Sequence, residues 1–292
     1  MELTFWGVRG SIPTAGAHTA RWGGNSSCVE VRSGALPPML FDCGTGARPA
    51  GADLVRRPGR ALHVWFSHFH MDHLFGFPFF LPIYTPGYQV TVHVPAYTND
   101  QARSKLARYL DGILHPVRLA DLPSSVAIEA TRARRRAEVD GWTVESAVLQ
   151  HPGGSLGYRV SDGTHSAAYV TDTGPFARPD EGLSVGQPAT RAEARIVEFL
   201  RGCNAVVYDT MFERREYLDK MTWGHSYPEY AMALCREAGV GTLVLFHHHP
   251  DATDDDIDAL AARYAGQQGP RIVVAREGAT LAVGEGAMIA EG

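Results

Sequence analysis

Cysteine is sparse: Cys28, Cys43, Cys203 and Cys235 lie far apart, and no C-x-x-C pair occurs. That spacing argues against a zinc ribbon and fits buried thiols in a reducing compartment. Long apolar runs are missing too. No segment approaches the length of a membrane span, and Met1-Glu2-Leu3-Thr4 lacks the basic start of a signal peptide. A cytoplasmic protein with no membrane association is therefore expected. Nor is there an excess of positive charge: 27 Lys and Arg stand against 32 Asp and Glu, a formal net charge of -5. No global field draws nucleic acid to such a chain, although a bound cation dominates its own surroundings. A Gly-x-Ser-x-Gly nucleophile turn, internal repeats and low-complexity linkers are absent as well. The chain, 45% hydrophobic and 20% charged, is long enough to bury a large core, and 1–292 reads as a single domain.

What the chain does have is a concentration of metal-ligating groups. His68-Phe69-His70-Met71-Asp72-His73 puts three imidazoles and a carboxylate into six positions, at the spacing H-x-H-x-D-H. The apolar run Leu62-His63-Val64-Trp65-Phe66 before it reads as a buried strand. Alternate residues of an extended chain share a face, so His68 and His70 can serve one metal. Asp72 and His73, on the turn that follows, can serve a second. Neutral imidazole with carboxylate suits Zn²⁺, and also Mn²⁺ or Fe. One histidine at a strand end is ordinarily a satisfied core or surface residue; four ligand types this close together are hard to explain by packing.

Other strands end in similar residues. Met39-Leu40-Phe41 runs into Asp42 and the tight turn Cys43-Gly44-Thr45-Gly46. An acid there can accept a bond from the far nitrogen of a ligand histidine, or cap the helix expected over 47–56. Trp142 to Leu149 alternates as a strand that ends near His151, and His165 to Val170 ends in Thr171-Asp172. His151 and Asp172 supply the fifth and sixth ligands of a two-metal centre, with Asp172 as the natural bridge. Ala205-Val206-Val207-Tyr208-Asp209 repeats the strand-then-acid pattern, and Leu243 to Phe246 precedes His247-His248-His249. Helices are expected over 99–110, 191–200 and 253–265, with another starting near Pro228.

Several stretches carry two readings. Arg9, Asn25 and Ser26 sit in Gly-rich loops that either offer donors to an anion or simply turn the chain. The aromatic, Pro-rich stretch from Phe75 to Pro86 can wall a substrate pocket or pack into the core. Arg132, Arg134, Arg135 and Arg136 form a solvated edge or contact RNA or phosphate. Residues 175–190 read as a Gly/Pro-rich surface loop. Strands and helices alternate throughout, which suits an α/β unit of two packed sheets with outer helices.

Five motifs in order, Asp42-Cys43-Gly44-Thr45-Gly46, His68 to His73, His151 with Gly157-Tyr158, Asp172, and Phe246-His247, resemble the metallo-β-lactamase superfamily in its RNase Z-like phosphodiesterase branch. The resemblance covers about Asp42 to His249. It implies an αββα sandwich of two mixed sheets with outer helices. It implies that His68, His70 and His151 bind one divalent metal, that Asp72, His73 and His247 bind another, and that Asp172 bridges them. His247 matches the family position as the first residue after its strand, in preference to His248; relatives with this tail tend to carry Asp where His249 stands. Gly224-His225-Ser226 resembles the branch's leaving-group histidine, with Asp209 as its partner; the alternative makes Ser226 a helix cap and leaves His225 exposed. A homodimer is implied by the resemblance alone.

The resemblance implies a hydrolase in which two metals, most readily Zn, activate water for in-line attack at phosphorus, with Asp72 among the catalytic groups. Many tRNA-processing relatives carry a long arm between the equivalents of His151 and Asp172. Only 152–171 lies between them here, and the net charge is acidic. The expected substrate is therefore a small phosphodiester, a cyclic nucleotide or ribose cyclic phosphate. RNA 3′ processing, carboxylic ester or lactone hydrolysis at the same centre, and a metal-binding module without catalysis are the alternatives.

Overall fold

A computed structural model describes residues 1–176, 190–284 and 288–289 of the chain. Two mixed β-sheets lie face to face. The first runs in the order β15 (Met288–Ile289), β14 (Thr280–Ala282), β1 (Glu2–Gly7), β2 (Cys28–Arg32), β3 (Met39–Phe41), β4 (Ala61–Trp65), β5 (Gln89–Pro95), β6 (Ser125–Thr131). The second runs β13 (Arg271–Val274), β12 (Thr242–Phe246), β11 (Ala205–Asp209), β10 (Ser166–Val170), β9 (Ser155–Ser161), β8 (Trp142–Leu149), β7 (Arg136–Val139). Within the first sheet β3 to β6 are parallel, and within the second β10 to β13 are parallel.

Strand periodicity sorts the core into three layers. In β12, Val244 and Phe246 face the other sheet, while Leu243 and Leu245 face the helices. A strand buried on both faces has to be apolar throughout, and Thr242 to Phe246 nearly is. Between the sheets, Phe5, Val29 and Phe41 meet Tyr158, Tyr169 and Phe246. Outside the first sheet, α1 (Ala47–Leu54) and α2 (Asn99–Ala107) cover Leu62, Val64 and Val92. Outside the second, α3 (Arg191–Leu200), α5 (Pro228–Glu237) and α6 (Asp254–Tyr264) cover Val206, Tyr208 and Leu245. At 8 and 9 residues, α1 and α2 are too short to persist alone in water, so packing holds them. The result is the αββα arrangement expected.

Differences from the expected elements have local causes. The first two helices end at Leu54 and Ala107, before Arg56 and Leu110. Beyond those points the amides of Arg56, Arg57, Tyr109 and Leu110 bond to carbonyls three residues back, a tightened turn in place of continued α-helix. Strand β6 was not anticipated, because only Ile128 of it is buried at this sheet edge. The short helix α4 (Arg214–Asp219) was missed as well; its start is fixed by a reciprocal pair between Glu213 and Glu216, a weak sequence signal. Most of the loop expected over 175–190 lies outside the described residues.

In both parallel blocks the carboxyl ends of the strands lead into one edge of the sandwich. The loops after β3, β4, β8, β10, β11 and β12 therefore meet there, and those loops carry Asp42, His68 to His73, His151, Asp172, Asp209 and His247.

Candidate metal centre

Asp42 is the structural root of the site. It is fully buried, left-handed at φ 59°, and its carboxylate accepts four bonds. The Ser67 amide and hydroxyl donate to it at 2.7 Å each, His73 Nδ1–H at 2.7 Å and Tyr169 OH at 2.9 Å. Because the Ser67 hydroxyl proton goes to Asp42, the Ser67 oxygen accepts from His68 Nδ1–H at 3.0 Å. One carboxylate thus fixes the tautomer of His73 directly and that of His68 through a hydroxyl, turning both Nε2 atoms inward. The helix-cap reading of Asp42 does not hold: α1 begins at Ala47, with Gly46 in the capping position and no side-chain cap.

The remaining groups arrive from both sheets. His151 Nδ1–H donates to the Gly224 carbonyl at 2.9 Å, which leaves Nε2 3.0 Å from His70 Nδ1 and 3.6 Å from Asp172 Oδ2. His73 Nε2 stands 3.1 Å from both Asp72 Oδ2 and Asp172 Oδ1. His247 Nε2 lies 3.1 Å from Asp172 Oδ1 and 3.4 Å from Asp72 Oδ2. The Ser11 amide donates to Asp72 at 2.8 Å and Thr171 Oγ1 to Asp172 at 2.8 Å. Asp172 and His247, like Asp42, are left-handed, at φ 51° and 64°. Non-glycine residues take that conformation at a cost, and it recurs where a site must be aimed.

Among the described residues, three groups with ligand atoms within 4.8 Å of one another could hold a metal ion. The first is His68, His70, His151 and Asp172; the second is Asp72, His73, Asp172 and His247; the third is Asp172, Asp209, His225 and His247. The structure thus brings together all seven metal ligands expected from the sequence, with Asp172 common to every group. His248 turns away and bonds the Ala275 carbonyl through Nε2 at 2.7 Å.

The donor atoms test whether a cation fits. His68 Nε2, His73 Nε2 and both nitrogens of His247 are buried with no hydrogen-bond partner. An unsatisfied buried polar atom costs about 1–3 kcal/mol, and here several converge on one point beside two carboxylates. Divalent cations would satisfy the Nε2 atoms of His68, His73 and His247 together, while His247 Nδ1, on the other side of its ring, lies 3.8 Å from Asp209 Oδ1. The electrostatics agree. Burial opposes charge on Asp72 and Asp172, but the surrounding histidines hold both carboxyls well below the usual range. Burial likewise opposes charge on His73, yet Asp172, Asp72 and Asp42 lift it well above the ordinary imidazole value. The cluster is a negative cavity that draws in positive charge, proton or metal.

His225 adjoins this cavity. Its Nδ1–H donates to Asp209 Oδ2 at 2.9 Å and lies 3.9 Å from Asp172 Oδ2. Asp209 is itself pinned by the amides of Thr173 and Met211, both at 3.1 Å. Burial works against the imidazolium, but Asp209 outweighs it and raises His225 to about 9. Ser226 caps nothing, since α5 starts after Tyr227 without a side-chain cap.

The Gly-rich loops prove structural. Buried Arg9 donates to the carbonyls of Gly23, His249 and Ala252, Asn25 bonds Glu277, and Ser26 Oγ accepts from the Thr45 amide. These bonds tie all three residues into the fold, and of their side-chain atoms only Arg9 Nη2 is buried without a partner. In the aromatic stretch, Phe77 and Phe80 are fully buried core, while Phe79 is exposed. The Ser67 relay, the Ser11 amide and the Gly224 carbonyl were not anticipated. A hydroxyl directly before H-x-H was the one available signal.

Residues 39–248 match the Beta-lactamase superfamily domain. A ribonuclease Z from Methanosarcina acetivorans is 24% identical over 87% of this chain and 90% of its own length. By shape, human tRNase Z, short form, superposes with a TM-score of 0.67 at 15% identity, covering 97% of this chain and 99% of the other. A diphosphatase from the PhnP family superposes at 0.64 and 17% identity, over 96% and 97%.

Proposed function

The chain belongs to the β-lactamase superfamily, in its ribonuclease Z-like branch, and is a metal-dependent hydrolase; from that premise we propose that it is a dinuclear-metal phosphodiesterase acting on a small phosphodiester. His68, His70, His151 and Asp172 would hold one divalent ion, and Asp72, His73, His247 and Asp172 the other. Zn²⁺ suits these donors, and Mn²⁺ or Fe would take the same set. When bound, the ions supply Lewis acidity, neutralising charge on phosphoryl oxygens and making water acidic enough to attack at neutral pH.

The chain's own groups do the rest. Asp42 and Ser67 keep the imidazoles in one tautomer, so no reorganisation is needed when substrate arrives. Asp72 and Asp172 set the charge of the cavity. His225, held through Nδ1 by Asp209, presents Nε2 to the departing oxygen and protonates it. Such general acid catalysis is worth about 10²–10⁴-fold. The buried His225–Asp209 pair beside the ligand cluster is the observation that carries the reading.

The short segment between His151 and Asp172 supports a small substrate. Twelve of its 20 residues form β9 and β10, paired inside the second sheet, and the short connections between them offer no arm to grip a large RNA. The likeness to a diphosphatase of the PhnP family supports a small substrate. A second reading, RNA 3′ processing, is supported by the ribonuclease Z relative and by a cleft of about 710 Å³ lined by Arg134, Arg135, Arg136, Arg159 and Arg195. Four buried free thiols fit a cytoplasmic setting, and no helix among the described residues is long and apolar enough to cross a membrane.

Metal-loaded protein offered cyclic nucleotides, a ribose cyclic phosphate, a tRNA precursor and a lactone tests the choice, with Asp72→Ala as the control. Turnover of the small phosphodiesters is the expected result. Exclusive cleavage of the precursor, or of the lactone, selects a rival.

A further inference from the structure

Four of the eleven large apolar side chains left in water among the described residues flank groups of the centre in sequence. Ile12 follows Ser11, whose amide holds Asp72; Met71 precedes Asp72; Met221 and Trp223 precede His225. They are 56%, 58%, 49% and 57% exposed respectively. A rim of this kind marks a place where something apolar docks. Trp223 is the largest of them and the most firmly set. Its amide bonds the Lys220 carbonyl at 2.9 Å, and its ring meets buried Phe212 edge-on at 6.3 Å. Phe212 in turn meets His225 at 5.8 Å. Lys220 Nζ sits 4.7 Å from the Phe212 ring and 5.4 Å from the Trp223 ring. Gly224 is left-handed at φ 82°, and a Cβ there would come within 2.5 Å of His151 Nδ1. The turn carrying Trp223 is therefore pressed directly against the metal-ligand cluster.

We propose that Trp223 is a nucleobase platform for the substrate, with Phe212 and Lys220 fixing its plane. This rests on the phosphodiesterase reading. If His225 protonates a ribose oxygen, the base on that same sugar reaches outward toward the rim that carries Trp223, which Phe212 links to His225. A flat, fixed, exposed indole fits a planar π-system better than an aliphatic chain, and stacking of this kind tolerates any base. A cation over the aromatic pair also favours a partner that carries phosphate. The substrate class is thereby narrowed from small phosphodiesters in general to those bearing a nucleoside.

Two measurements test it on metal-loaded protein. Calorimetric titration with a nucleoside 5′-monophosphate and with ribose 5-phosphate reads the base's contribution without turnover. The kcat/KM ratio of a 2′,3′-cyclic nucleotide to a base-free ribose cyclic phosphate reads it in the reaction. Trp223→Ala should cut the nucleotide preference by about 5- to 150-fold in both, chiefly through KM, and Trp223→Phe should restore most of it. Equal losses for the two ligands, or no change, would overturn the platform. If wild-type protein binds the nucleotide preferentially but turns over neither ester, the phosphodiesterase reading fails and the base site stands. If it turns over the base-free ester with no base preference in binding, the reading stands and the platform fails.

Discussion

The two halves of the centre are built to different standards. Asp72, His73 and His247 are buried, and His73 leans on a carboxylate that is itself satisfied four times over. On the other side His68 leans on a hydroxyl and His151 on a backbone carbonyl. His70 is exposed, and its only ring hydrogen-bond partner among the described residues is His151 itself. The His151 side chain is only 3% exposed, so the openness of that half belongs to His70. Outer partners orient ligands and raise their basicity, and a carboxylate does both better than a carbonyl. The Asp72–His73–His247 half should therefore hold its ion more tightly. The open half is the side from which substrate or chelator enters.

The sharpest way to break the comparison is to remove what the halves share. Asp172 lies in all three candidate groups, so Asp172→Ala should empty both positions and cost several orders of magnitude in kcat. Metal content per chain, measured by emission spectroscopy, checks the first part; retention of both ions would refute the shared role. Next in size is His225→Ala, with an expected loss of about 10²–10⁴-fold in kcat and metal content unchanged. His225 also belongs to the third candidate group, so a variant that loses metal would show it to be a ligand instead. The sign of its pH dependence follows. An acid works while protonated, so this limb of kcat falls as pH rises through the His225 pKa. That value is about 9 without metal and lower beside bound cations.

Smaller again is Asp42→Asn, which weakens the direct support of His73 and the relayed support of His68. Losses of about 10–100-fold in metal affinity or activity are expected. Ser67→Ala touches only the relay to His68 among the histidines, so it should loosen the open half alone. If chelator titration of Ser67→Ala removed the buried ion first, the ranking of the halves would be reversed.

What could be read in advance depended on how the groups are encoded. His68 to His73 were legible because four ligands fall within one strand end and turn. His151, Asp172 and Asp209 were legible because each closes an apolar strand, and parallel strands bring their carboxyl ends to one edge. His247 could be chosen over His248 only by resemblance. In the structure a left-handed backbone turns His247 Nε2 toward Asp72 and Asp172, whereas His248 Nε2 bonds the Ala275 carbonyl. The supports were least legible. A serine hydroxyl, the Ser11 amide and the Gly224 carbonyl have no spacing signature, because tertiary packing alone brings them to their partners. Arg9 stayed open to two readings for the same reason: nothing in a glycine loop announces that the carbonyls of Gly23, His249 and Ala252 will take its Nε and Nη1.

A second pair of histidines shows that proximity alone does not make a metal site. His63 Nδ1 and His93 Nε2 stand 3.2 Å apart between the sheets, about as close as His70 and His151 at 3.0 Å. Here, though, the outer nitrogens face Asp140 at 3.0 Å and Glu129 at 3.6 Å, and Trp65 stacks on His93 at 3.6 Å. Among the described residues this pair belongs to none of the candidate metal groups. Replacing His93 should leave metal content untouched, lower stability somewhat by removing its contacts with His63 and Trp65, and change the response to acid. Burial pushes His93 down to about 3, with His63 adding to the effect. The unfolded chain, titrating near 6.5, therefore binds more protons as the pH falls from there toward 3. Stability drains away across that window, by at most about 1.4 kcal/mol per pH unit for this one site. His93→Gln removes the titration, so its denaturant midpoint should depend less steeply on pH between 6.5 and 3 than that of the parent. Parallel slopes would mean that His93 already carries its proton in the folded state, drawn by Glu129.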